Sequence, residues 1–141
     1  MPDRAYFAYG SNMIEAQMHE RAPAALLVGS ARLDNFEFTI ASRGYASIVH
    51  GLGKVVYGLV WKITRACERS LDRYEGVGWG YYRKTCVTVA TADGNHEALV
   101  YIAENPARGE NRYGARWQKI LDSARQHDFP ATYLSHLETF K

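Results

Sequence analysis

The chain has 141 residues, of which 47% are hydrophobic and 23% are charged, a composition that predicts one soluble domain over residues 1–141. Its 17 Lys and Arg against 15 Asp and Glu give a net charge of +2 with no run of like charge, which argues against nucleic-acid partners or a charged membrane surface. No apolar segment is long enough to span a bilayer, no signal-peptide pattern opens the chain, and Cys67 and Cys86 lack paired spacing, so we expect a cytoplasmic protein.

Strand patterns dominate the first half of the chain. Short runs of apolar and aromatic residues are broken by glycine, asparagine and aspartate, which favour turns. We predict, in chain order, a strand at 5–9, a helix at 13–20, two strands within 24–42 around a turn at Asp34-Asn35, a strand at 46–50, a glycine turn at 51–53 and a strand at 55–63 with alternate residues on one face.

The second half contains helix and hairpin patterns. Thr64 has the position of a helix N-cap and Gly76 that of the residue after the helix end, which predicts a helix from 65 to about 75. A hairpin of strands 82–92 and 97–103, a helix at 112–127 and a short helix opened by Phe129-Pro130 follow. Because regular strand–helix alternation is missing, we predict an α+β fold with a small mixed, barrel-like β-sheet and flanking helices.

The turn Tyr9-Gly10-Ser11-Asn12 is the first candidate binding site. Gly10 lets the backbone approach a ligand closely, and successive N–H groups ahead of a helix favour a carboxylate or an oxyanion. The alternative is a plain strand-to-helix turn with Ser11 or Asn12 as the cap. The spacing alone favours this alternative.

Glu75, in the segment Leu71-Asp72-Arg73-Tyr74-Glu75-Gly76, is the second candidate. At a helix C-terminus the dipole raises the pKa of a carboxylate, and burial adds to this, as a proton shuttle near neutral pH requires. Taken alone, the segment favours a solvated glutamate at a helix end, and Asp72 is expected to cap, pair or stay exposed. The glycine-rich aromatic segment 76–82 is a third candidate, a loop that can lie close to a ligand with aromatic rings as walls, in which the hydroxyl of either Tyr81 or Tyr82 could orient Glu75. Trp79 and Tyr81 fit ordinary surface or core aromatics equally well.

Other chemistries have weaker support in the residues. The five histidines show no metal-ligand spacing with one another or with a cysteine, and neither a nucleophile elbow nor a nucleotide-binding glycine pattern is present. We therefore expect no metal and no cofactor. Arg43 is expected on the surface, with a place near the pocket as the alternative.

The combination of these motifs resembles the gamma-glutamylcyclotransferase family, including its gamma-glutamylamine cyclotransferase-like members. The order and spacing match over nearly the whole chain, and the first tyrosine-rich loop together with the later Leu-Asp-x-x-Glu-Gly motif is specific. The matching segments are Tyr6 to Asn12, the strand residues Val55, Gly58, Val60 and Trp61, Leu71-Asp72-x-x-Glu75-Gly76, Tyr82, and a tail with Trp117 followed by Phe129-Pro130-x-x-Tyr133.

The resemblance implies a cofactor-independent enzyme of the C–N lyase type with a small-molecule substrate. Such an enzyme cyclises a γ-glutamyl amide to 5-oxoproline and releases a free amine or amino acid. The family's general base and acid matches Glu75, and its substrate-binding positions match Tyr9, Gly10, Ser11, Asn12 and Tyr82. Trp117 stands where relatives often have a tyrosine that contacts the substrate, so a hydroxyl is missing there.

Two other functions fit the same residues. A non-catalytic module would bind a glutamyl metabolite in the same pocket, although binding alone does not require a carboxylate at Glu75. A related enzyme would transfer or remove an acyl group and differ only on the amine side of the pocket. The residues do not specify the leaving amine, the pathway or the oligomeric state.

Overall fold

The computed structural model describes residues 3–41, 45–104 and 117–140. The strands are β1 (Arg4–Ala8), β2 (Leu26–Ile40), β3 (Ala46–Ile63), β4 (Tyr82–Thr91) and β5 (Gly94–Ala103). The α-helices are α1 (Glu15–Arg21), α2 (Arg65–Tyr74), α3 (Trp117–Gln126) and α4 (Ala131–Glu138), and 3-10 turns occupy Ser11–Met13 and Val77–Trp79. Within these three ranges, no helix has the length and apolar character needed to cross a membrane.

The described strands close into a barrel in the order β1-β3-β2-β4-β5. Neighbouring strands are antiparallel except at the closing pair, where β1 runs parallel to β5 and Tyr6 lies opposite Leu99. Because one parallel pair completes an antiparallel ribbon, the sheet is mixed. The predicted α+β fold with a small mixed, barrel-like sheet and flanking helices is confirmed.

The long ribbon of β2 and β3 corrects the prediction of four short strands. Asn35 and Gly53 do have the left-handed backbone expected of turn residues, with φ of 64° and 78°. They form a bulge inside the continuous ribbon, where pairing shifts from Asp34↔Val55 to Phe36↔His50. The Gly53 N–H donates to Asn35 Oδ1 at 3.0 Å, so this N–H group finds its hydrogen-bond acceptor within the bulge.

The second half of β3 is buried on both faces, whereas alternation predicted one buried face. The Tyr57 ring lies 5.7 Å from the ring of Phe129 and 5.2 Å from that of Tyr133, on the side of the C-terminal helices. Val56, whose side chain points to the opposite face, is 0% exposed. The strand therefore forms both the barrel wall and the support for those helices.

Gly58 allows β1 to lie close to β3. A Cβ atom at this position would stand 2.3 Å from the carbonyl oxygen of Ala8. Ala8 is the last residue of β1, so this close approach fixes the place where the chain enters the 3-10 turn. Glycine at position 58 is required by the packing of the main chain and not by its own conformation.

The ends of α2 follow the predicted capping pattern. Thr64 Oγ1 accepts a hydrogen bond from the Cys67 N–H at 3.1 Å, and Gly76 ends the helix with φ of 66°. Of the predicted helix at 112–127, residues 117–126 form α3 and residues 112–116 lie outside the described ranges. Pro130 precedes the first residue of α4 instead of occupying its first turn.

Candidate functional site

One cavity of about 330 Å³ brings the predicted site residues together. It lies where the turn after β1 faces the end of α2 and the first residues of β4. Its described lining consists of Tyr6, Tyr9, Gly10, Ser11, Asn12, Arg21, Tyr45, Ala46, Tyr74, Glu75, Tyr81, Tyr82 and Tyr101. Arg43 lies outside the described residues.

The turn after β1 contributes Gly10, Ser11 and Asn12 to the lining of this cavity. Gly10 and Ser11 use their carbonyl groups to accept from the N–H groups of Met13 and Ile14, both at 3.0 Å. In the described part of the chain, the N–H groups of Gly10, Ser11 and Asn12 donate to no main-chain acceptor. Neither Ser11 nor Asn12 caps a helix through its side chain, so the predicted capping role is wrong.

Asn12 connects the turn to the other walls of the cavity, and the residue is 3% exposed. Its Nδ2 donates to the Tyr6 hydroxyl at 2.9 Å and lies 3.5 Å from Glu75 Oε2. Its Oδ1 accepts from the Arg21 guanidinium at 2.8 Å, and the same guanidinium donates to Ser11 Oγ at 3.3 Å. Because both ends of the amide are engaged, Asn12 holds the turn in register with α1 and Glu75.

Glu75 enters the cavity at the end of α2. Its N–H donates to the Leu71 carbonyl at 2.8 Å, and Gly76 then turns the chain away in the left-handed conformation. A side chain at Gly76 would collide with the Tyr81 ring, which lies 2.5 Å from the position of a Cβ atom. The backbone thus ends the helix so that the Glu75 carboxylate faces the cavity.

Burial raises the pKa of Glu75 from 4.5 to about 7, and the positive charge of Arg21 opposes this rise. A carboxyl group with this pKa exists in both protonation states near neutral pH. Burial also raises the pKa of Tyr6 and Tyr9 well above the usual tyrosine range, so their hydroxyl groups keep their protons. The geometry therefore surrounds one titrating carboxyl group with non-titrating hydrogen-bonding groups.

Three tyrosine hydroxyls at the cavity donate hydrogen bonds to other groups of the protein. Tyr9 donates to the Tyr101 carbonyl at 2.6 Å, and Tyr82 donates to the Ala46 carbonyl at 2.5 Å. Tyr101 donates to Asp72 Oδ1 at 2.7 Å. Tyr81 also lines the cavity but lies at its rim with 43% of its surface exposed, so Tyr82 is the more enclosed of the two tyrosines proposed from the sequence.

Sequence reasoning missed Arg21, Tyr6 and Tyr101 as lining residues. A hydroxyl group in the otherwise apolar run of β5 is a signal for Tyr101, because a buried hydroxyl needs a partner. The partner, Asp72, is three residues before Glu75 and therefore on a similar face of α2. Arg21 carries no comparable signal, since a basic residue in the last turn of a helix is common on surfaces.

Trp117 lies outside the cavity. The residue is 8% exposed, and its Nε1 donates to the Leu137 carbonyl of α4 at 2.7 Å. The indole therefore joins α3 to α4.

In the described ranges, no group of three or more His, Cys, Asp and Glu side chains lies together as a metal site would require.

Comparison with known proteins gives consistent matches. The sequence model for "Gamma-glutamyl cyclotransferase, AIG2-like" matches residues 6–119. A gamma-glutamylcyclotransferase from Homo sapiens is 37% identical over 96% of this chain and 78% of its own, and one from Bos taurus is 30% identical over 94% and 85%. A solved gamma-glutamyl cyclotransferase structure superposes with a TM-score of 0.88 at 29% identity, covering 99% of this chain and 88% of that one.

Proposed function

The chain belongs to the gamma-glutamyl cyclotransferase, AIG2-like family, and on this premise we propose that it cyclises a γ-glutamyl amide to 5-oxoproline and releases a free amine or amino acid. One observation carries the proposal. The main-chain donors of Gly10, Ser11 and Asn12 share a cavity with Glu75, whose pKa burial raises to about 7.

The reaction needs few groups from the protein. The substrate's own α-amine attacks its γ-carbonyl carbon, so the ring C–N bond forms within one molecule while the amide C–N bond breaks. Holding the substrate with these two atoms close supplies much of the rate enhancement. Two protons leave the ring nitrogen and two reach the departing amine nitrogen.

Glu75 is the group proposed to carry these protons. A carboxyl group with a pKa near the working pH accepts a proton from the α-ammonium and then returns it to the leaving nitrogen. The N–H groups of Gly10, Ser11 and Asn12 hold the glutamyl part and stabilise the negative charge that develops on its oxygens. Tyr9 and Tyr82 form the enclosing walls, since their hydroxyl protons are engaged by carbonyl groups of the fold.

A direct test measures 5-oxoproline by chromatography after incubation with γ-glutamyl amino acids and γ-glutamyl alkylamines. We expect the wild-type chain to release 5-oxoproline and Glu75→Gln to lose about 100-fold to 10,000-fold in turnover, the usual contribution of a general acid–base group. Glu68→Gln is the matched control, because it makes the same change on the same helix outside the cavity lining.

Two results would count against the proposal. Turnover by Glu75→Gln near the wild-type rate would remove Glu75 from the mechanism. Binding of γ-glutamyl compounds without any 5-oxoproline release by the wild-type chain would instead support a non-catalytic module for a glutamyl metabolite. Circular dichroism of the variant, matched to the wild type, excludes misfolding as the cause of lost turnover.

A further inference from the structure

Asp72 is the residue of the Leu-Asp-x-x-Glu-Gly motif to which the proposed reaction gives no role. Its Oδ1 accepts a hydrogen bond from the Tyr101 hydroxyl, with 2.7 Å between the two oxygens, and its Oδ2 accepts one from Lys84 Nζ at 3.0 Å. Tyr101 lines the cavity, whereas Asp72 does not. The Asp72 carboxylate therefore does not touch a ligand in the cavity and can affect one only through its hydrogen bond with Tyr101.

The charge of Asp72 is balanced on its outer side. Lys84 Nζ also donates to Glu68 Oε2 at 2.7 Å, and Arg4 donates to the same carboxylate at 3.2 Å. Two cations and two anions thus form a chain from the cavity wall to the surface. Each oxygen of the Asp72 carboxyl group therefore has a donor, Tyr101 on the inner side and Lys84 on the outer side.

A tyrosine hydroxyl has one proton to donate and two lone pairs that accept. Because the Tyr101 hydroxyl already donates its hydrogen bond to Asp72, its oxygen can act toward a ligand in the cavity only as an acceptor. A hydrogen bond to a carboxyl oxygen also makes the donor oxygen more electron-rich. Among the groups of a γ-glutamyl amide, the α-ammonium, with three N–H donors, is the cation that such an oxygen suits.

We propose that Asp72 is a positioning residue, which fixes the Tyr101 hydroxyl as an acceptor for the α-ammonium group of the substrate. This inference rests on the proposed function, because it assumes a substrate with an α-amine. The neighbouring hydroxyls of Tyr9 and Tyr82 donate to main-chain carbonyls and are fixed by the fold itself. The Tyr101 hydroxyl donates to the side chain of Asp72, so a substitution at position 72 can change its orientation.

Proximity supports the assignment. The Tyr101 ring packs edge-on against that of Tyr6 at 5.6 Å, and Tyr6 shares the Asn12 amide with Glu75. An amine that contacts the Tyr101 oxygen therefore lies in the same corner as the carboxylate that takes its proton. In this arrangement Tyr101 orients the nitrogen while Glu75 deprotonates it.

The test compares two ligands that differ only in the α-amine: a γ-glutamyl alkylamide and the matching glutaric acid monoamide. Binding is measured by calorimetry in the Glu75→Gln protein, where turnover is suppressed. We expect Asp72→Asn to bind the γ-glutamyl alkylamide about 10-fold to 100-fold more weakly, the range for a hydrogen bond to a charged group, with unchanged affinity for the monoamide. Tyr101→Phe should give the same selective loss, and adding Asp72→Asn to it should cause no further loss.

The control is Asp122→Asn, which makes the same change at an exposed residue of α3 that belongs neither to the cavity lining nor to the charge chain. It should bind both ligands as the parent protein does. Equal loss for both ligands in Asp72→Asn, or additive losses in the double variant, would show a merely structural role and overturn the inference. Absence of 5-oxoproline release by the wild-type chain would instead overturn the proposed function, and the inference with it.

Discussion

Replacing Glu75 with Gln should stabilise the protein, by an amount that depends on pH. Burial raises the pKa of Glu75 from 4.5 to about 7 in the folded state, against the opposing charge of Arg21. In the unfolded chain the side chain is in water and titrates near its ordinary value. Between these two values the folded protein retains a proton that the unfolded chain has released, so the free energy of unfolding falls as pH rises.

The size of the effect follows from the interval between the two pKa values. Each pH unit is worth about 1.4 kcal/mol, so the interval from 4.5 to about 7 corresponds to roughly 3 kcal/mol. This stabilisation is complete below pH 4.5 and is lost as pH rises through about 7. Gln cannot ionise, so Glu75→Gln should match the wild type at low pH and exceed its stability by roughly 3 kcal/mol in mild alkali.

Urea unfolding, followed by circular dichroism at several pH values across this interval, measures the difference directly. The difference between two chains removes the contributions of the histidines, which both proteins share. Glu68→Gln is the matched control with the opposite sign: despite its burial, Lys84 and Arg4 hold the pKa of Glu68 below its ordinary value. Its loss of stability should appear at neutral pH and fade as the pH falls below the ordinary value and through the lowered pKa of the folded state.

A stability difference between Glu75→Gln and the wild type that stays constant from acid to mild alkali would refute this reasoning. It would mean that the carboxylate is as well solvated in the folded protein as in the unfolded chain. The pH-dependent result would show instead that burial of the Glu75 carboxylate lowers the free energy of unfolding at the pH where this group is ionised.

Three further predictions concern the same framework. Gly58→Ala should lower the free energy of unfolding by about 3 kcal/mol, because the added Cβ would meet the Ala8 carbonyl. Gly78→Ala is the control, because its added Cβ meets nothing within 4 Å. Equal urea midpoints for the two variants would contradict the prediction. Thr64→Ala should cost about 1 kcal/mol by loss of the α2 cap, which a full retention of urea stability would disprove. In a pH–rate profile, kcat/KM should fall as the pH drops below about 7, because Glu75 becomes protonated. Arg21→Gln should shift this acidic decline to higher pH, because the charge that lowers the pKa of Glu75 is removed; an unshifted decline would show that Arg21 does not oppose the rise in pKa.

Local signals predicted the helices better than the long strands. The α2 cap at Thr64 and the left-handed Gly76 depend on groups within a few residues, and the sequence contains both. A left-handed Asn35 or Gly53 looks the same locally in a hairpin turn and in a bulge. The difference lies in whether pairing continues across the ribbon, which is a non-local property, so four short strands were predicted where two long ones exist.

The candidate site shows the same division. The turn at residues 9–12 and Glu75 were recognised because each lies in a motif, and the structure places them around one cavity. Tyr101 and Arg21 reach that cavity only through barrel closure and the packing of α1, which no spacing encodes. For Asp72 the sequence predicts only a capping, paired or exposed carboxylate, because its partner Tyr101 is 29 positions away.

The parallel pairing of β1 with β5 has a consequence for the order in which the molecule folds. The hydrogen bond from Tyr9 to the Tyr101 carbonyl joins residues 92 positions apart, next to the closing pair of Tyr6 and Leu99. Contacts across so long a loop are entropically costly and form late. The cavity sits at this seam, so a chain in which the barrel is still open lacks the cavity, and any ligand of the cavity should slow the opening of the barrel by binding only the closed form.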